Sequence, residues 1–298
     1  MKRRNDEGVA DVRPLVIKAG GTTIEDAATA PALYGALVEL SRRPGGVVFV
    51  HGGGRAVDRH LERLGMTSER REGIRITPPE QVEEIAAVLA GSFNKRVVAG
   101  LNMAGARAVG LCLGDGRAIA TRKTRKYAFD AGRVGEVESE EERRSEKREA
   151  SRESPPPSPS RWEGADEGNL LTLLVANGFL PVVSSIGIDA GDGGFLNVNA
   201  DDAAAGIAQV LGARALVLLT DVPGILDGAK QLVGELTARG IEEMIERGEI
   251  KGGMIVKARA AAEVAQGSGV PVVIMAGNDV VALGKLGRGE MVGTRIVG

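Results

Sequence analysis

The fold is indicated by a stretch near the start of the chain, Pro14-Leu15-Val16-Ile17-Lys18-Ala19-Gly20-Gly21, in which an apolar run leads through a lysine to two glycines. A second stretch repeats the pattern, Gly46-Val47-Val48-Phe49-Val50-His51-Gly52-Gly53-Gly54. Helical patterns follow, over residues 28–41 and up to about residue 65. A strand that leads through a glycine turn into a helix is typical of parallel sheets. Ligands bind such sheets beyond the carboxyl ends of the strands, where both glycine turns fall.

The rest of the chain continues this alternation. Further strand-like apolar runs lie at residues 108–111, 180–184, 215–219 and 271–275. Helical patterns lie at residues 79–103, 169–177, 201–211, 241–247 and 256–266. The sequence therefore predicts an α/β fold with an open, mostly parallel sheet sandwiched by helices, in a domain over residues 14–298.

Composition and charge limit the partners. The 298 residues carry a formal net charge of −2, which gives no electrostatic basis for binding nucleic acid or an anionic membrane. No apolar run approaches about 18 residues and the charged start lacks a signal-peptide core, so we expect no membrane contact and a cytoplasmic location. The single cysteine, Cys112, excludes a disulfide framework and a cysteine-rich metal site.

Two segments depart from the folded pattern. Residues 1–13 are rich in charge and are expected to form a flexible N-terminus. Residues 136–167 run through Glu, Arg, Lys and Ser into Ser154-Pro155-Pro156-Pro157-Ser158-Pro159, with almost no apolar side chains. Such a segment cannot offset its own ordering entropy, so we expect a disordered insertion, with a docking segment for a partner as the alternative.

Lys18 and the glycines after it are candidates for binding phosphate. Gly20 and Gly21 can present backbone N–H groups at a helix N-terminus, and Lys18 at the end of the strand can supply a positive charge. An ordinary strand-to-helix turn is the alternative interpretation.

The turn His51-Gly52-Gly53-Gly54 has a competing meaning, because similar turns form the oxyanion hole of lipase-like hydrolases. That function needs a G-x-S-x-G nucleophile elbow, which the sequence lacks. A P-loop and the third glycine of a dinucleotide fingerprint are also missing. His51, as an isolated histidine, is expected to be structural.

Polar residues follow two later strands. Asn197-Val198-Asn199-Ala200-Asp201 precedes a helical run, where the asparagines either cap the helix or hold a polar ligand while Asp201 faces the lysines. Thr220-Asp221-Val222-Pro223-Gly224 either forms a turn or places an aspartate on a ribose hydroxyl.

Lys257 is the most informative cation in the sequence. The run Gly252-Gly253-Met254-Ile255-Val256-Lys257 places it in the first turn of a predicted helix, where a lysine opposes the macrodipole. A bound anion would compensate, and an exposed surface lysine is the alternative.

The reaction class follows from these residues and from what accompanies them. No Ser/His/Asp or Cys/His set stands out. A carboxylate is ionised at neutral pH and needs no general base, so phosphoryl transfer to it requires positioning and charge neutralisation. Two lysines, several glycine amides and a metal ion carried by the nucleotide would supply both.

The motifs together resemble the amino acid kinase family. In order they are Lys-x-Gly-Gly, His-Gly-Gly-Gly, Gly73-x-Arg75-x-Thr77, Asn-x-Asn-Ala-Asp, Thr-Asp-Val-x-Gly-Ile-Leu and Gly-Met-x-x-Lys. The resemblance runs from about Leu15 to Ile296 and is broken by the insertion. It implies an N lobe over residues 14–182 that binds an acyl acceptor, and a C lobe over residues 183–298 that binds ATP with Mg²⁺.

The resemblance also implies roles for individual residues. Lys18 and Lys257 would neutralise the transferred phosphoryl group, and Asp201 would orient both lysines. Arg75 would bind a carboxylate of the acceptor in bidentate fashion. The acceptor-binding residues would be Gly53, Gly54, Arg75, Asn197 and Asn199, and the nucleotide-binding residues Gly20, Gly21, Thr220, Asp221 and Met254.

Within the family, the resemblance implies N-acetyl-L-glutamate as the acceptor and arginine biosynthesis as the pathway. It also implies a homodimer formed through the helix at residues 80–103. Arginine-inhibited members carry an extra N-terminal helix, whereas about a dozen residues precede Leu15 here, so we expect no response to arginine. The alternatives are a kinase for another carboxylate, an aminoadipate or glutamate derivative, and a catalytically silent nucleotide-binding regulator.

Overall fold

The computed structural model describes residues 11–139 and 169–298. Most of their strands belong to one large sheet, and two smaller sheets accompany it. The strands are β1 (Leu15–Ala19), β2 (Val47–His51), β3 (Arg70–Arg71), β4 (Ile74–Arg75), β5 (Ala108–Leu111), β6 (Thr121–Lys123), β7 (Val134–Val137), β8 (Leu180–Ser184), β9 (Ile186–Ile188), β10 (Phe195–Val198), β11 (Ala215–Thr220), β12 (Glu235–Thr237), β13 (Val272–Ala276) and β14 (Thr294–Val297).

Helices connect most of these strands. They span Gly21–Glu25, Ala30–Ser41, Gly54–Arg63, Pro79–Ala86, Asn94–Met103, Leu170–Ala176, Ala200–Val210, Ala238–Glu246, Gly253–Ser268 and Val280–Gly287, with a π-helical turn at Ala87–Phe93 and a 3-10 turn at Asp115–Arg117. Within the described ranges, none of the helices is long and apolar enough to cross a membrane.

The large sheet has the order β12-β14-β13-β11-β1-β2-β8-β5. Its neighbouring strands are parallel except for β13 and β14. Strand β1 lies inside the sheet, where Lys18 is in register with Val50 of β2 and with Leu218 of β11. The predicted fold class, an open and mostly parallel sheet, is confirmed.

Both faces of the sheet are buried. Ile17, Phe49 and Val217 belong to a core on one face, and their chain neighbours, such as Val16 and Val48, belong to a core on the other. A strand alternates its side chains between faces, so a sheet covered by helices on both sides needs continuous apolar strands. This is why the strand signals in the sequence are continuous apolar runs.

The smaller sheets stand beside the carboxyl end of the large one. One has the order β6-β7-β10-β9, and the other is the hairpin of β3 and β4. In the former, Asn197 of β10 is in register with Val134 of β7. Both sheets contribute residues to the cavity described below.

The long helix predicted at residues 79–103 is interrupted. It consists of Pro79–Ala86 and Asn94–Met103 joined by the π-helical turn, in which Gly91 has non-helical angles of φ −94° and ψ −105°. The apolar pattern of the sequence does not indicate this interruption, because apolar side chains are buried both before and after the π-helical turn.

The segment predictions at residues 136–167 and 1–13 fall largely outside the described residues. Glu136 and Val137 belong to β7, and Glu136 is buried, so the folded chain extends past the predicted start of the insertion at residue 136. Residues 140–168 and 1–10 are outside the described ranges. The lobes predicted at 14–182 and 183–298 share the large sheet, because β1 of the first pairs with β11 of the second.

Candidate active site

The two glycine turns meet at the carboxyl edge of the large sheet. A β-carbon placed on Gly21 would lie 3.1 Å from the Cα atom of Gly53. A β-carbon on Gly53, whose φ of 172° is extended, would lie 2.7 Å from Cδ2 of Leu89, so a larger residue there would displace the end of the Leu89 side chain. The two turns are therefore in backbone contact, and groups bound to each would be neighbours.

Lys18 and Asp201 form an ion pair beside these turns. The Lys18 Nζ lies 2.8 Å from Oδ1 of Asp201, and the lysine side chain is 15% exposed. Asp201 lies in the first turn of the helix Ala200–Val210, where the macrodipole stabilises a carboxylate. The structure thus brings together two of the three predicted catalytic residues.

Lys257 departs from its predicted position. Its helix begins at Gly253, earlier than the predicted start at residue 256, so Lys257 lies beyond the first turn and the argument from the macrodipole does not apply. Lys257 is half-buried and has no ion pair or hydrogen bond within residues 11–139 and 169–298. Among the described residues Asp201 pairs with Lys18, and its orientation of Lys257 stays a prediction.

The predicted acceptor residues surround one cavity of about 200 Å³. Its lining includes all five of them, Gly53, Gly54, Arg75, Asn197 and Asn199. Ala200 and Asp202, the neighbours of Asp201, also line it. The cavity therefore adjoins the ion pair of Lys18 and Asp201.

Arg75 is held in place at the cavity by the protein. Its Nη1 lies 2.7 Å from Oδ1 of Asp58 and donates to the hydroxyl of Ser68, and its Nη2 donates to the carbonyl of Gly54 at 3.2 Å. The side chain is 6% exposed. Its Nε–H and one Nη2–H have no partner among the described residues, which leaves donors for a carboxylate.

Asp58 compensates the charge of two arginines. Its second oxygen accepts from Nη2 of Arg70 at 2.9 Å. Partial burial raises the pKa of Asp58, but the hydrogen bonds and positive charges of Arg75 and Arg70 outweigh it and hold the pKa below the usual range. Asp58 therefore remains ionised at neutral pH.

The two asparagines have different local roles. Asn199 caps the helix Ala200–Val210, because its Oδ1 accepts from the backbone N–H groups of Asp201 at 2.8 Å and Asp202 at 3.4 Å. Asn197 donates through Nδ2 to the hydroxyl of Thr77 at 3.0 Å. Both asparagines still line the cavity, so the capping interpretation and the ligand interpretation of Asn199 are compatible.

The rim of the cavity carries residues that the sequence did not single out. Lys126, Tyr127 and Arg70 line it, and Lys126 Nζ lies 3.4 Å from Oδ2 of Asp202. The Cζ atom of Arg71 lies 4.3 Å from the centroid of the Phe129 ring. This contact connects the β3–β4 hairpin to the loop after β6. The run Arg122-Lys123-Thr124-Arg125-Lys126 is the sequence signal that could have indicated this basic rim.

The predicted nucleotide-binding residues lie outside this cavity. The hydroxyl of Thr220 donates to the carbonyl of Val222 at 2.9 Å and accepts from its N–H group at 3.2 Å, so it holds the turn after β11. Asp221 is exposed, and Met254 lies next to the start of the helix Gly253–Ser268. Gly20 and Gly21 lie next to the Gly52–Gly54 turn.

His51 has the structural role that was expected for it. It is fully buried, its Nδ1 lies 2.9 Å from the carbonyl oxygen of Gly52, and its Nε2 lies 2.9 Å from Nδ2 of Asn94. Burial lowers the pKa of His51 to about 4, in spite of the opposing hydrogen bond to Gly52. The imidazole is therefore neutral at physiological pH.

The described residues contain no cluster of three or more His, Cys, Asp or Glu side chains that could hold a metal ion. Asp201, which lies beside the glycine turns, is paired with Lys18. This set does not fit a resident metal. Mg²⁺ would instead bind together with the nucleotide, because phosphate oxygens and water are its preferred ligands.

Comparison with known proteins agrees with the fold. The sequence model described as the amino acid kinase family matches residues 13–276. A protein of Aeromonas salmonicida (strain A449) named acetylglutamate kinase is 41% identical over 289 residues, which cover 96% of this chain and 99% of that protein.

Solved structures share the fold at lower identity. N-acetylglutamate synthase from Neisseria gonorrhoeae, complexed with coenzyme A and N-acetyl-glutamate, aligns with a TM-score of 0.70 at 21% identity, over 96% of this chain and 60% of that one. Carbamate kinase from Giardia lamblia bound to AMP-PNP aligns with a TM-score of 0.60 at 18% identity, over 97% and 99% of the two chains. Since the family's sequence model spans most of the chain and a relative matches it over nearly its full length, the chain belongs to the amino acid kinase family.

Proposed function

We infer that the chain is a phosphotransferase that uses ATP to phosphorylate the side-chain carboxylate of N-acetyl-L-glutamate, giving N-acetylglutamyl 5-phosphate. The relative that is 41% identical over nearly the whole chain is named for this activity. The observation that carries the inference is the single cavity around which Gly53, Gly54, Arg75, Asn197 and Asn199 converge. The cavity adjoins the glycine turn in contact with Gly21, so an acceptor in it would lie next to the proposed phosphate site.

The reaction requires no general base. An oxygen of the ionised side-chain carboxylate attacks the γ-phosphorus of ATP, the bond from that phosphorus to the bridging oxygen breaks, and ADP leaves with the electron pair. Charge neutralisation and alignment are the main contributions of the protein. Lys18, fixed by Asp201, supplies positive charge beside the two glycine turns. Mg²⁺, brought by the nucleotide, would offset phosphate charge.

Acceptor specificity follows from the buried arginine. The free Nε–H and Nη2–H of Arg75 suit the α-carboxylate of a dicarboxylic acid, because a guanidinium binds a carboxylate through two parallel hydrogen bonds. Asn197 and Asn199 would contact the acetamido and carboxylate groups. Because Arg75 is held by Asp58, Ser68 and Gly54, the distance from it to the glycine turn is fixed and selects for acceptor length.

A panel of acceptors tests this function. We expect ATP and Mg²⁺ to give hydroxylamine-trapped acyl phosphate with N-acetyl-L-glutamate, and at least tenfold lower kcat/KM with N-acetyl-L-aspartate, N-acetyl-aminoadipate and L-glutamate, since a missing or misplaced contact changes discrimination by about 1–3 kcal/mol. Turnover of one of these rivals without turnover of N-acetyl-L-glutamate would instead favour the kinase for another carboxylate. ATP binding without turnover of any acceptor would favour the silent regulator.

We further propose a cytoplasmic homodimer that does not respond to arginine. The segment Pro79–Met103 supports the dimer, because Ala87, Ala99 and Met103 are exposed on it and Met103 is 89% exposed. A dimer in light scattering and an unchanged rate in millimolar arginine are the expected results. A hexamer, or inhibition by arginine, would contradict the proposal.

A further inference from the structure

The buried pair of His51 and Asn94 is not explained by the proposed chemistry. Both side chains are 0% exposed, and they lie directly behind the glycine turn of the acceptor site. Two polar side chains in an apolar core are destabilising unless their hydrogen bonds are satisfied. Here each makes defined bonds, and these bonds determine the state of the imidazole.

The hydrogen bonds of Asn94 fix one tautomer of His51. Nδ2 of Asn94 donates to the carbonyl of Val182 at 2.9 Å, and its Oδ1 lies 3.4 Å from Nζ of Lys95, which orients the amide. The remaining N–H of Nδ2 faces Nε2 of His51 at 2.9 Å, so Nε2 must accept. The proton of the neutral ring is then on Nδ1, which donates to the carbonyl of Gly52.

This bond sets the orientation of the Gly52–Gly53 peptide. The N–H of Gly52 donates to the carbonyl of Ala19 at 3.2 Å, and the carbonyl of Gly52 accepts from Nδ1 of His51. In a trans peptide the C=O and the following N–H point in opposite directions. The N–H of Gly53 therefore points away from the imidazole, and its nitrogen lies 3.5 Å from the β-carbon position of Gly21.

The N–H of Gly53 has no acceptor within the described residues. It lies at the N-terminus of the helix Gly54–Arg63, which carries no side-chain cap. Such a group is a ready donor for an anion. On the proposed function, its position between the two turns is where the oxygens of the transferred phosphoryl group would be.

We propose that His51, oriented by Asn94, is a positioning residue for phosphoryl transfer: its Nδ1–H holds the Gly52 carbonyl so that the Gly53 N–H is aimed at the reacting oxygens. The proposal rests on the proposed function. A donor that is aligned in advance stabilises developing charge without reorganisation during the reaction. His51 acts through the backbone and touches no substrate.

The packing around the pair agrees with this role. Asn94 follows the π-helical turn Ala87–Phe93, and π-helical turns frequently occur at functional sites. That turn brings Phe93 to 5.3 Å from the His51 ring, measured between centroids, and Leu89 against Gly53. The interruption of the long helix thus places apolar and polar supports behind the same glycine.

Two substitutions of similar size separate positioning from general stability. Asn places an amide near the position of Nδ1, so His51→Asn can still donate to Gly52. Gln places its amide near the position of Nε2, so His51→Gln keeps the contact with Asn94 and loses the bond to Gly52. We expect His51→Gln to lower kcat about 50-fold and His51→Asn at most about fivefold, both with nearly unchanged KM for ATP, as misaligning one donor approaches the loss of about 10²-fold seen on removing it.

Wild-type activity with N-acetyl-L-glutamate in the same assay establishes the function independently of the variants. Equal losses of kcat in the two folded variants would overturn the positioning role while leaving the function intact. Because the chain has 2 histidines, ¹⁵N NMR of histidine-labelled wild-type protein provides a second test, with His60→Gln for assignment. We expect His51 to carry its proton on Nδ1 from pH 6 to 8. A proton on Nε2 would overturn the proposal even if His51→Gln does not fold.

Discussion

The proposed acceptor side and the proposed nucleotide side of the site differ in how many of their side chains the protein itself holds in place. On the acceptor side, Arg75 is 6% exposed and has three protein partners, and His51 is fully buried with both ring nitrogens bonded. On the nucleotide side, Asp221 is exposed and Lys257 has no partner among the described residues. Arg75 and His51 are thus ordered by the fold, whereas Asp221 and Lys257 have polar groups left for a ligand to order.

This difference has an energetic meaning. A residue that the fold already holds loses little freedom when substrate binds, but its substitution disturbs both stability and function. A side chain that has no protein partner and is ordered only by a bound ligand adds little to the free energy of unfolding. Its substitution is therefore expected to affect catalysis alone. Activity and stability measured on the same variants therefore test this contrast.

The largest effect is expected for Lys257 on the nucleotide side. Lys257→Ala should lower kcat about 100-fold, because on the proposed function it removes a positive charge that neutralises the transferred phosphoryl group. Its melting temperature should match that of the wild type, since no ion pair is broken. Lys251→Ala, an exposed lysine just before the same helix, serves as the control for loss of charge. A rate close to that of the wild type would show that Lys257 is not catalytic. A lower melting temperature would show that Lys257, like the acceptor-side residues, contributes to stability.

The second prediction concerns pH and the buried His51. Its pKa is lowered to about 4 in the folded protein, from 6.5 in the unfolded chain. The unfolded chain therefore binds the extra proton between these values, and the free energy of unfolding decreases as pH falls from 6.5 towards 4, by about 3 kcal/mol in total. Urea unfolding should show a steeper loss for the wild type than for His51→Asn. Equal pH dependence in the two proteins would show that His51 is not buried as a neutral ring.

The third prediction concerns Arg75 on the acceptor side. Arg75→Lys should raise KM for N-acetyl-L-glutamate about tenfold, because a single ammonium cannot replace the planar pair of donors. It should also lower the melting temperature, since Asp58, Ser68 and Gly54 lose hydrogen bonds. Arg70→Lys is the matched control, because Arg70 shares Asp58 but is 47% exposed. A change in KM with no change in melting temperature would show that Arg75 contributes to binding and not to stability, which would contradict the contrast between the two sides.

The smallest effect is expected at Asn199, where capping and binding can be separated. Asn199→Ala should lower the free energy of unfolding by about 1 kcal/mol through loss of the helix cap. Asn199→Asp keeps an oxygen for the cap and should retain stability, but its negative charge should raise KM for the dicarboxylate acceptor. Chemical denaturation and steady-state kinetics on both variants measure the two effects. A stable alanine variant would contradict the capping role.

Much of the site could be predicted from the sequence because its residues follow the ends of parallel strands. The fold brings those ends to one edge, so motifs far apart in the chain, such as Gly52–Gly54 and Asn197–Asp201, meet at the same cavity. What the motifs did not indicate was the set of partners. Asp58 and Ser68 around Arg75, and Asn94 behind His51, have no sequence signal of their own.

The position of Lys257 shows the same limit at the level of a helix. The sequence pattern predicts a helix starting at residue 256, but of the pair Gly252-Gly253 only Gly252, with φ 56°, lies outside the helix. Glycine is compatible with both states, so neighbouring tertiary contacts decide where the helix begins.

By itself the sequence determined the alternation of strands and helices, the parallel sheet and the glycine turns at its carboxyl edge. These features depend on local pattern and on backbone conformations that few residues allow. The tertiary structure alone decided which charges pair, which asparagine caps a helix and which tautomer His51 adopts. Those outcomes depend on distances of a few ångströms between residues far apart in the chain, as between His51 and Asn94, and hydrogen-bond and charge energies change steeply over such distances.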